Sequence, residues 1–287
     1  MSLEGFLEID ARRIEAARWG GDRPSGPALV LLHEGLGCVA MWRDFPALLA
    51  DVTGCRVFAY SRLGYGQSDP VRLPRSTGYM HEEAEEWLPR VLDVAGVDGC
   101  VLVGHSDGAS IAAIHAGSRR DGRVRGLVLI APHFFVEDMT VQSIAAIRRA
   151  YEQGDLRARL ARYHADVDMA FYGWNDTWLD PAFRGWDITE YLPRIRIPAL
   201  VLQGADDPYG TAAQPRAAER LMRGTVRVRL IAGARHAPQQ EMPADRTAST
   251  AQREKPDGTH RLPDRTRPVS ALAIGREGRR RLARDGC

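Results

Sequence analysis

A serine between two glycines near the middle of the chain has the spacing of an exposed nucleophile. Residues 102–110 read LVGHSDGAS, in which Gly104 to Gly108 form the pattern G-x-S-x-G around Ser106. In that pattern a sharp turn from a strand into a helix lifts the serine hydroxyl out of the sheet. A chain of this composition contains about 0.1 such match by chance, so the pattern acquires meaning only from its surroundings.

A serine hydroxyl is a weak nucleophile at neutral pH, so it requires a base and a third group that orients the base. Later parts of the chain offer both groups. Asp206 and Asp207 follow the apolar run ALVLQG, and His236 follows the run VRVRLI. The order serine, carboxylate, histidine is that of one known arrangement of the catalytic triad.

Short apolar runs bounded by glycine, proline or polar residues predict the strands that would position these groups. The clearest runs are residues 28–33, 56–60, 100–104, 125–131, 199–204 and 226–231. Helical patterns lie between them, notably at 81–96 and 106–117, whereas residues 6–19 alternate more like a hairpin. Strands that alternate with helices predict a mostly parallel sheet covered on both faces.

The alternation stops between residues 133 and 196, where helical pattern and aromatic residues occur without a convincing strand. About sixty residues of helical pattern between two predicted strands indicate an inserted helical cap over one end of the sheet. Its tryptophans Trp174, Trp178 and Trp186 form the core of the cap or line a pocket that faces Ser106. The acidic stretch EEAEE at 82–86 is expected to be a solvated helix face.

Ligands bind beyond the carboxyl ends of the strands in open α/β sheets. Ser106, the two aspartates, His236 and the segment HEGLG at 33–37 all follow predicted strands. A tetrahedral oxyanion formed at the serine would need backbone N–H donors. Asp107 can supply one from the N-terminus of its helix, and the HEGLG loop can supply the other.

The chain resembles the α/β-hydrolase superfamily, in particular its capped esterase, enol-lactonase and carbon–carbon hydrolase branch. Five ordered segments within about residues 28–241 carry the resemblance: LLHEGLG, AYSRLGYGQSDP, GHSDG, LVLQGADDPYG and IAGARHAPQQE. It implies the α/β-hydrolase fold, with a mostly parallel eight-stranded sheet, helices on both faces and an inserted helical cap. It also implies Ser106 as nucleophile, His236 as base and Asp207, three residues after Gly204, as the acid.

The oxyanion loop departs from the family's usual His-Gly-X, because Glu34 takes the place of the glycine and Gly35 follows it. The resemblance implies Gly35 as one oxyanion donor, with Leu36 as second choice, beside Asp107. Glu34 is either a solvated loop charge or a participant in the site. The candidate substrate pocket comprises Glu34, Leu36, His105, Trp174 and Trp178. His33 and His105 are expected to support the structure rather than to transfer protons.

The resulting prediction is a serine hydrolase that cleaves a small carboxylic ester or lactone through an acyl-serine, with no cofactor and no metal. One alternative is a carbon–carbon bond hydrolase of ring-cleavage products, although the oxyanion loop lacks the serine usual in that group. Another alternative, of a different class, is a ligand-binding or receptor protein on the hydrolase fold with little turnover.

Composition sets the remaining expectations. The chain has 287 residues, 44% of them hydrophobic, a net charge of +2 and four cysteines without metal spacing. The excess positive charge lies in residues 244–287, with 11 Lys and Arg against 6 Asp and Glu. The preceding residues show no basic patch interleaved with aromatic residues, so the sequence gives little support for nucleic-acid binding.

We expect a cytoplasmic protein whose partner is its small-molecule substrate, not a membrane; the oligomeric state stays open. The expected core spans 1–132 and 197–243, the cap 133–196, and 244–287 form a poorly ordered basic tail.

Overall fold

The computed structural model describes residues 3–20, 26–118 and 121–241, and the basic tail predicted for 244–287 lies outside these ranges. Eight strands form one sheet in the order β1-β2-β4-β3-β5-β6-β7-β8. The strands are β1 Leu3–Ile9, β2 Arg12–Trp19, β3 Ala28–Leu32, β4 Val57–Tyr60, β5 Cys100–His105, β6 Val124–Ile130, β7 Ala199–Gly204 and β8 Val226–Ile231. The first two pairings, β1 with β2 and β2 with β4, are antiparallel, and the other five are parallel. The predicted eight-stranded, mostly parallel sheet is therefore confirmed.

Nine α-helices lie within the described ranges. They are α1 Phe45–Thr53, α2 Tyr79–Glu82, α3 Leu88–Val94, α4 Asp107–Ser118, α5 Asp138–Gln153, α6 Leu156–Leu160, α7 Val167–Leu179, α8 Ala213–Leu221 and α9 Pro238–Glu241. Short 3₁₀ turns cover Val39–Trp42, Pro181–Gly185 and Leu192–Arg194. None of these helices combines the length and the apolar character that a bilayer-spanning segment requires.

Strands β3 and β4, at the centre of the sheet, are apolar because both of their faces are buried. In β3 all five residues of ALVLL are buried. Val30 and Leu32 join the apolar layer that contains α3 and α4, whereas Leu29 and Leu31 join the opposite layer with α1. This two-sided burial explains why the central strands read as unbroken apolar runs rather than as alternating ones.

The first two strands form the hairpin that the sequence predicts. Ile9 pairs with Arg12, so the loop is only two residues long. Its residues Asp10 and Ala11 both have positive φ, 50° and 59°. A two-residue loop with positive φ at both positions follows the right-handed twist of the paired strands.

The acidic helix differs from its prediction at one residue. The helix predicted for 81–96 extends through α2 and α3, with a π-helical turn at Glu83–Trp87 just before Pro89. Proline has no N–H to donate, so the regular helical hydrogen bonding is interrupted there. Glu83 was expected on a solvated face, but it is buried and its carboxylate lies 2.8 Å from the guanidinium of Arg75. The expectation was wrong because this charge has a buried partner.

The segment predicted as a cap contains α5, α6 and α7 and no strand; its single β-bridge joins Phe135 to Asp187. The helices pack through aromatic side chains, and the rings of Tyr151 and Phe171 stack at 3.6 Å. The division of the chain into core 1–132 and 197–243 and cap 133–196 stays a prediction. The cysteines at 38, 55 and 100 are buried free thiols.

The order of the strands determines where the sheet has a crevice for the candidate site. The parallel part of the sheet begins at β3; the chain continues to β4 on one side of β3 and then crosses to β5 on the other. Such a reversal opens a crevice at the carboxyl ends of the two strands that flank it. The turn after β3 and the residue that follows β5, Ser106, both lie at this crevice.

We predict that Gly108→Ala destabilises the protein. A Cβ at residue 108 would collide with the main-chain carbonyl of Leu32, where α4 crosses the end of β3. Rigid backbone cannot yield as a side chain does, so the loss in unfolding free energy should be about 2 kcal/mol or more. Thermal unfolding would report it. Gly99→Ala is the control, since a Cβ there meets no atom within 4 Å; equal melting temperatures of the two variants would contradict the close approach.

Candidate active site

Ser106 occupies a strained turn between β5 and α4. Its φ is +52°, a left-handed conformation that non-glycine residues rarely adopt. Its N–H donates to the carbonyl of Ile130 at 2.9 Å, and its own carbonyl accepts from Ala109 N at 2.8 Å and Ser110 N at 3.1 Å. Strain of this kind costs about 1–3 kcal/mol and is found where the surrounding structure fixes a functional group.

Gly104 and Gly108 allow the turn to close. A Cβ on Gly104 would collide with the backbone of Gly108 and Ala109, because the end of the strand and the start of the helix lie against each other. Ser106 itself is 6% exposed. The sequence pattern thus produces the geometry of a nucleophile elbow.

Asp207 and His236 form a close pair. Nδ1 of His236 lies 2.9 Å from each carboxylate oxygen of Asp207. The carboxylate also accepts from Gln203 Nε2 at 2.7 Å and from Tyr209 N at 2.8 Å. Burial opposes ionisation, but the hydrogen bond and charge of His236 and the N–H of Tyr209 outweigh it and lower the pKa of Asp207. The carboxylate is therefore charged and holds the proton of the imidazole on Nδ1.

Asp206, the other acid in the sequence, lies elsewhere. It is exposed, and only its main-chain N–H contacts the histidine loop, through the carbonyl of Ala234 at 3.0 Å. The loop is closed by Glu241 of α9, whose carboxylate accepts from Arg235 N at 2.5 Å and Ala237 N at 3.2 Å. The geometry pairs the histidine with Asp207 rather than with its neighbour.

Within the described part of the chain, no hydrogen bond joins Ser106 Oγ to His236. The two residues approach through His105, whose ring nitrogen Nε2 lies 2.8 Å from the carbonyl of His236. The side chain of His236 is 19% exposed. Hydrogen bonds between catalytic groups are often long in the absence of substrate and tighten in the complex. The structure thus connects His236 to the residue before Ser106, without a direct hydrogen bond between the Ser106 and His236 side chains.

The loop after β3 presents free donors. Gly37 N donates to the carbonyl of Glu34 at 3.1 Å and closes a turn whose central residues are Gly35 and Leu36. The N–H groups of these two residues and of Asp107, the first residue of α4, donate to no acceptor within the described residues. The first N–H groups of a helix have no partner inside it, which suits them to bind an anion. The Leu36 carbonyl accepts from His164 Nε2 at 3.0 Å.

A buried arginine stabilises the turn at residues 34–37 through hydrogen bonds to main-chain carbonyls. The guanidinium of Arg62 donates to the carbonyls of His33 at 2.5 Å and Glu34 at 3.0 Å. His33 adds a bond from Nδ1 to the carbonyl of Glu34 at 2.7 Å and accepts from Arg62 N at 3.0 Å. Burial and the adjacent guanidinium hold the pKa of His33 well below its usual value. His33 is thus a neutral structural group, as the sequence suggested.

The two predicted pocket tryptophans have different surroundings. Trp174 packs the nitrogen of its indole against Gly35, so closely that a Cβ at residue 35 would overlap it. Trp178 is 2% exposed and donates from Nε1 to the hydroxyl of Tyr79 at 3.2 Å, and that hydroxyl donates to the Asp107 carboxylate. Burial raises the pKa of Asp107. Trp174 therefore covers the loop after β3, and Trp178 supports the start of α4 from within the core.

Glu34 and His105, also assigned to the pocket, lie together. The Glu34 carboxylate is 3.5 Å from Nδ1 of His105, and its side chain is 21% exposed. Glu34 is thus not a solvated charge, because it has an imidazole partner in His105, the residue before Ser106. Leu36 is half-buried and packs against the core.

Sequence reasoning missed three groups beside the Asp207–His236 pair, of which Gln203 and His133 are buried. Gln203 and Tyr209 bind Asp207, and His133 lies with its ring 5.8 Å from that of His236. Burial and the nearby His236 lower the pKa of His133 to about 3, so it is neutral. Gln203 is the penultimate residue of the buried strand β7 and His133 follows β6, so both lie at strand ends, where ligands bind. The polar residue near the end of each apolar run was a signal present in the sequence.

Comparison with known proteins shows to which family the chain belongs. Residues 29–250 match the model of the Alpha/beta hydrolase family. Because this match covers most of the chain, the protein belongs to the α/β-hydrolase family, as its motifs suggested.

The chain is also similar to two curated proteins and to one solved structure. The chain is 29% identical over 250 residues to a non-heme chloroperoxidase of Streptomyces lividans, covering 76% of this chain and 88% of the relative. It is 25% identical over 219 residues to a bifunctional esterase/perhydrolase of Acinetobacter calcoaceticus, covering 66% and 76%. The enol-lactonase of Burkholderia xenovorans LB400 superposes with a TM-score of 0.65 at 18% identity over 86% of this chain and 98% of that one, which shows a shared fold.

We predict that Asp207→Asn lowers kcat by about 10³- to 10⁴-fold, because an amide no longer fixes the Nδ1–H tautomer of His236 or stabilises its protonated form. Asp206→Asn is the matched control, with the same chemical change one residue away on an exposed side chain. Ester turnover of both variants is the measurement. A loss in Asp206→Asn with none in Asp207→Asn would show that the pairing is wrong.

Proposed function

We propose that the protein hydrolyses small carboxylic esters or lactones through an acyl-serine intermediate. The observation that carries the proposal is the hydrogen-bonded pairing of the Asp207 carboxylate with His236, whose main chain is bonded to the residue that precedes Ser106. A base oriented by a carboxylate beside a serine on a strained elbow is the arrangement required for acyl transfer.

The reaction follows from these groups. Ser106 Oγ attacks the ester carbonyl while His236 Nε2 takes the hydroxyl proton, and Asp207 stabilises the imidazolium. The N–H groups of Gly35 and Asp107 bind the oxyanion of the tetrahedral intermediate, each worth about 3 kcal/mol. His236 then donates the proton to the departing alkoxide. Water repeats the sequence on the acyl-serine and releases the acid; in a lactone the alcohol stays attached to the acyl group.

A second candidate is transfer of the same acyl group to hydrogen peroxide, which would yield a peracid and free Ser106. It is favoured by the relatives named above, one a chloroperoxidase and the other an esterase/perhydrolase. Both candidates share the acyl-serine, so they differ only in the acceptor.

Carbon–carbon hydrolysis of ring-cleavage acids has less support, because such substrates carry a carboxylate that needs a cation. In residues 133–196 five arginines pair with surface carboxylates: Arg148, Arg157, Arg159, Arg184 and Arg194. The three others of this segment, at positions 149, 162 and 196, are exposed. None of these eight is a buried cation reserved for a substrate.

We predict that Ser106→Ala lowers kcat on p-nitrophenyl esters by about 10⁴-fold or more, since the proposed acyl-enzyme forms on the hydroxyl that this change removes. Ser118→Ala, which removes a hydroxyl at the far end of α4, is the control and should retain full activity. Turnover that survives in Ser106→Ala would overturn the assignment.

The same assay separates the other candidates. A panel of esters, lactones and a vinylogous diketo acid, each with and without hydrogen peroxide, gives the acyl donor and acceptor. Activity on the diketo acid alone would favour carbon–carbon hydrolysis. Tight ligand binding without labelling of Ser106 by a fluorophosphonate would favour the binding-protein alternative.

A further inference from the structure

Building on the proposed acyl transfer, we propose that His105 is a positioning residue: its Nε2–H holds the main chain of His236, and Glu34 holds the opposite nitrogen of its ring. The chain thus has a second carboxylate–histidine pair behind the Asp207–His236 pair. The first pair would handle the proton, and the second would set where the base lies relative to Ser106.

The hydrogen bond to His236 fixes one ring nitrogen. Nε2 of His105 lies 2.8 Å from the His236 carbonyl, and a carbonyl only accepts, so Nε2 carries the proton. The ring is 2% exposed, so water does not compete for this bond. A buried hydrogen bond of this kind leaves an unpaired carbonyl when its donor is removed.

The other nitrogen faces two partners. Nδ1 lies 3.5 Å from Oε2 of Glu34 and 3.2 Å from Nε2 of Gln239 in α9. When Nδ1 is protonated it pairs with the carboxylate, and when it is not it accepts from the amide. Both states keep the proton on Nε2, so the bond to His236 persists in either state.

Charge strengthens the pair. Burial alone would lower the pKa of His105, but the hydrogen bond and charge of Glu34 outweigh it and raise the pKa. Burial likewise opposes ionisation of Glu34, and the hydrogen bond and charge of His105 lower its pKa. Each group therefore favours the charged form of the other, which explains an acid in a loop that otherwise presents N–H donors.

The arrangement links base and nucleophile through adjacent residues. His105 is the last residue of β5 and Ser106 follows it, whereas His236 lies in the loop between β8 and α9. The Asp207 contact fixes the imidazole at Nδ1 only, and the His105 bond fixes the backbone from which the ring extends. A displacement of about 1 Å at a reacting group can cost about 100-fold in rate, so this bond would act on kcat.

The test compares two substitutions of the same residue. His105→Phe keeps a buried ring without the donor, and kcat on esters should fall about 10- to 100-fold with KM within about twofold. His105→Gln places an amide N–H near the position of Nε2 and should recover most of the loss. His81→Phe, outside the site, is the control for a histidine-to-phenylalanine change and should behave as wild type.

Two results would overturn the inference. One is a His105→Phe enzyme as active as wild type, and the other is an equal loss in the Phe and Gln variants when both retain the wild-type melting temperature. The role of Glu34 is tested by NMR titration, in which Glu34→Gln should lower the pKa of His105. An unchanged pKa would remove Glu34 from the pair.

The labelling rate of Ser106 by a fluorophosphonate separates this inference from the proposed function. If the wild-type serine does not react, the proposed nucleophile is wrong and the positioning role falls with it. If it reacts and His105→Phe reacts equally fast, only the positioning role is wrong. We expect rapid labelling of wild type and His105→Gln and slow labelling of His105→Phe.

Discussion

The left-handed backbone of Ser106 is the constraint on which the rest of the site depends. A chain that turns from β5 into α4 in a single residue must bring the helix onto the end of the strand and onto the end of β3. The contacts at Gly104 and Gly108 follow from that turn. The same turn brings the start of α4 against the loop after β3, so Ser106 lies beside the N–H groups that we propose as oxyanion donors.

The other groups reach the site because parallel strands end at one edge of a sheet. Asp207 comes from the end of β7, His236 from the end of β8, and Arg62 from the end of β4. Hydrogen bonds between these loops then fix the distances, with Arg62 holding the turn at Glu34 and His105 holding His236. The sheet brings the residues near one another, and buried polar contacts complete the arrangement.

Sequence patterns predicted the sheet and the strand ends from which Ser106, Asp207 and His236 extend, because two-sided burial leaves apolar runs and strand ends leave polar residues. They failed where a contact depends on the folded chain rather than on a local pattern of residue types. Glu83 looked solvated because its partner Arg75 could not be foreseen, and the choice between Asp206 and Asp207 needed family position. The contact of Gln239 with His105 joins residues 134 positions apart, which no local pattern reveals.

The most direct measurement is mass spectrometry of the enzyme quenched during the pre-steady-state burst with a slowly deacylated p-nitrophenyl ester. The account predicts one acyl group per chain on the peptide that contains Ser106, formed in step with the released nitrophenol. Release of nitrophenol without an adduct, or an adduct on any other residue, would contradict it.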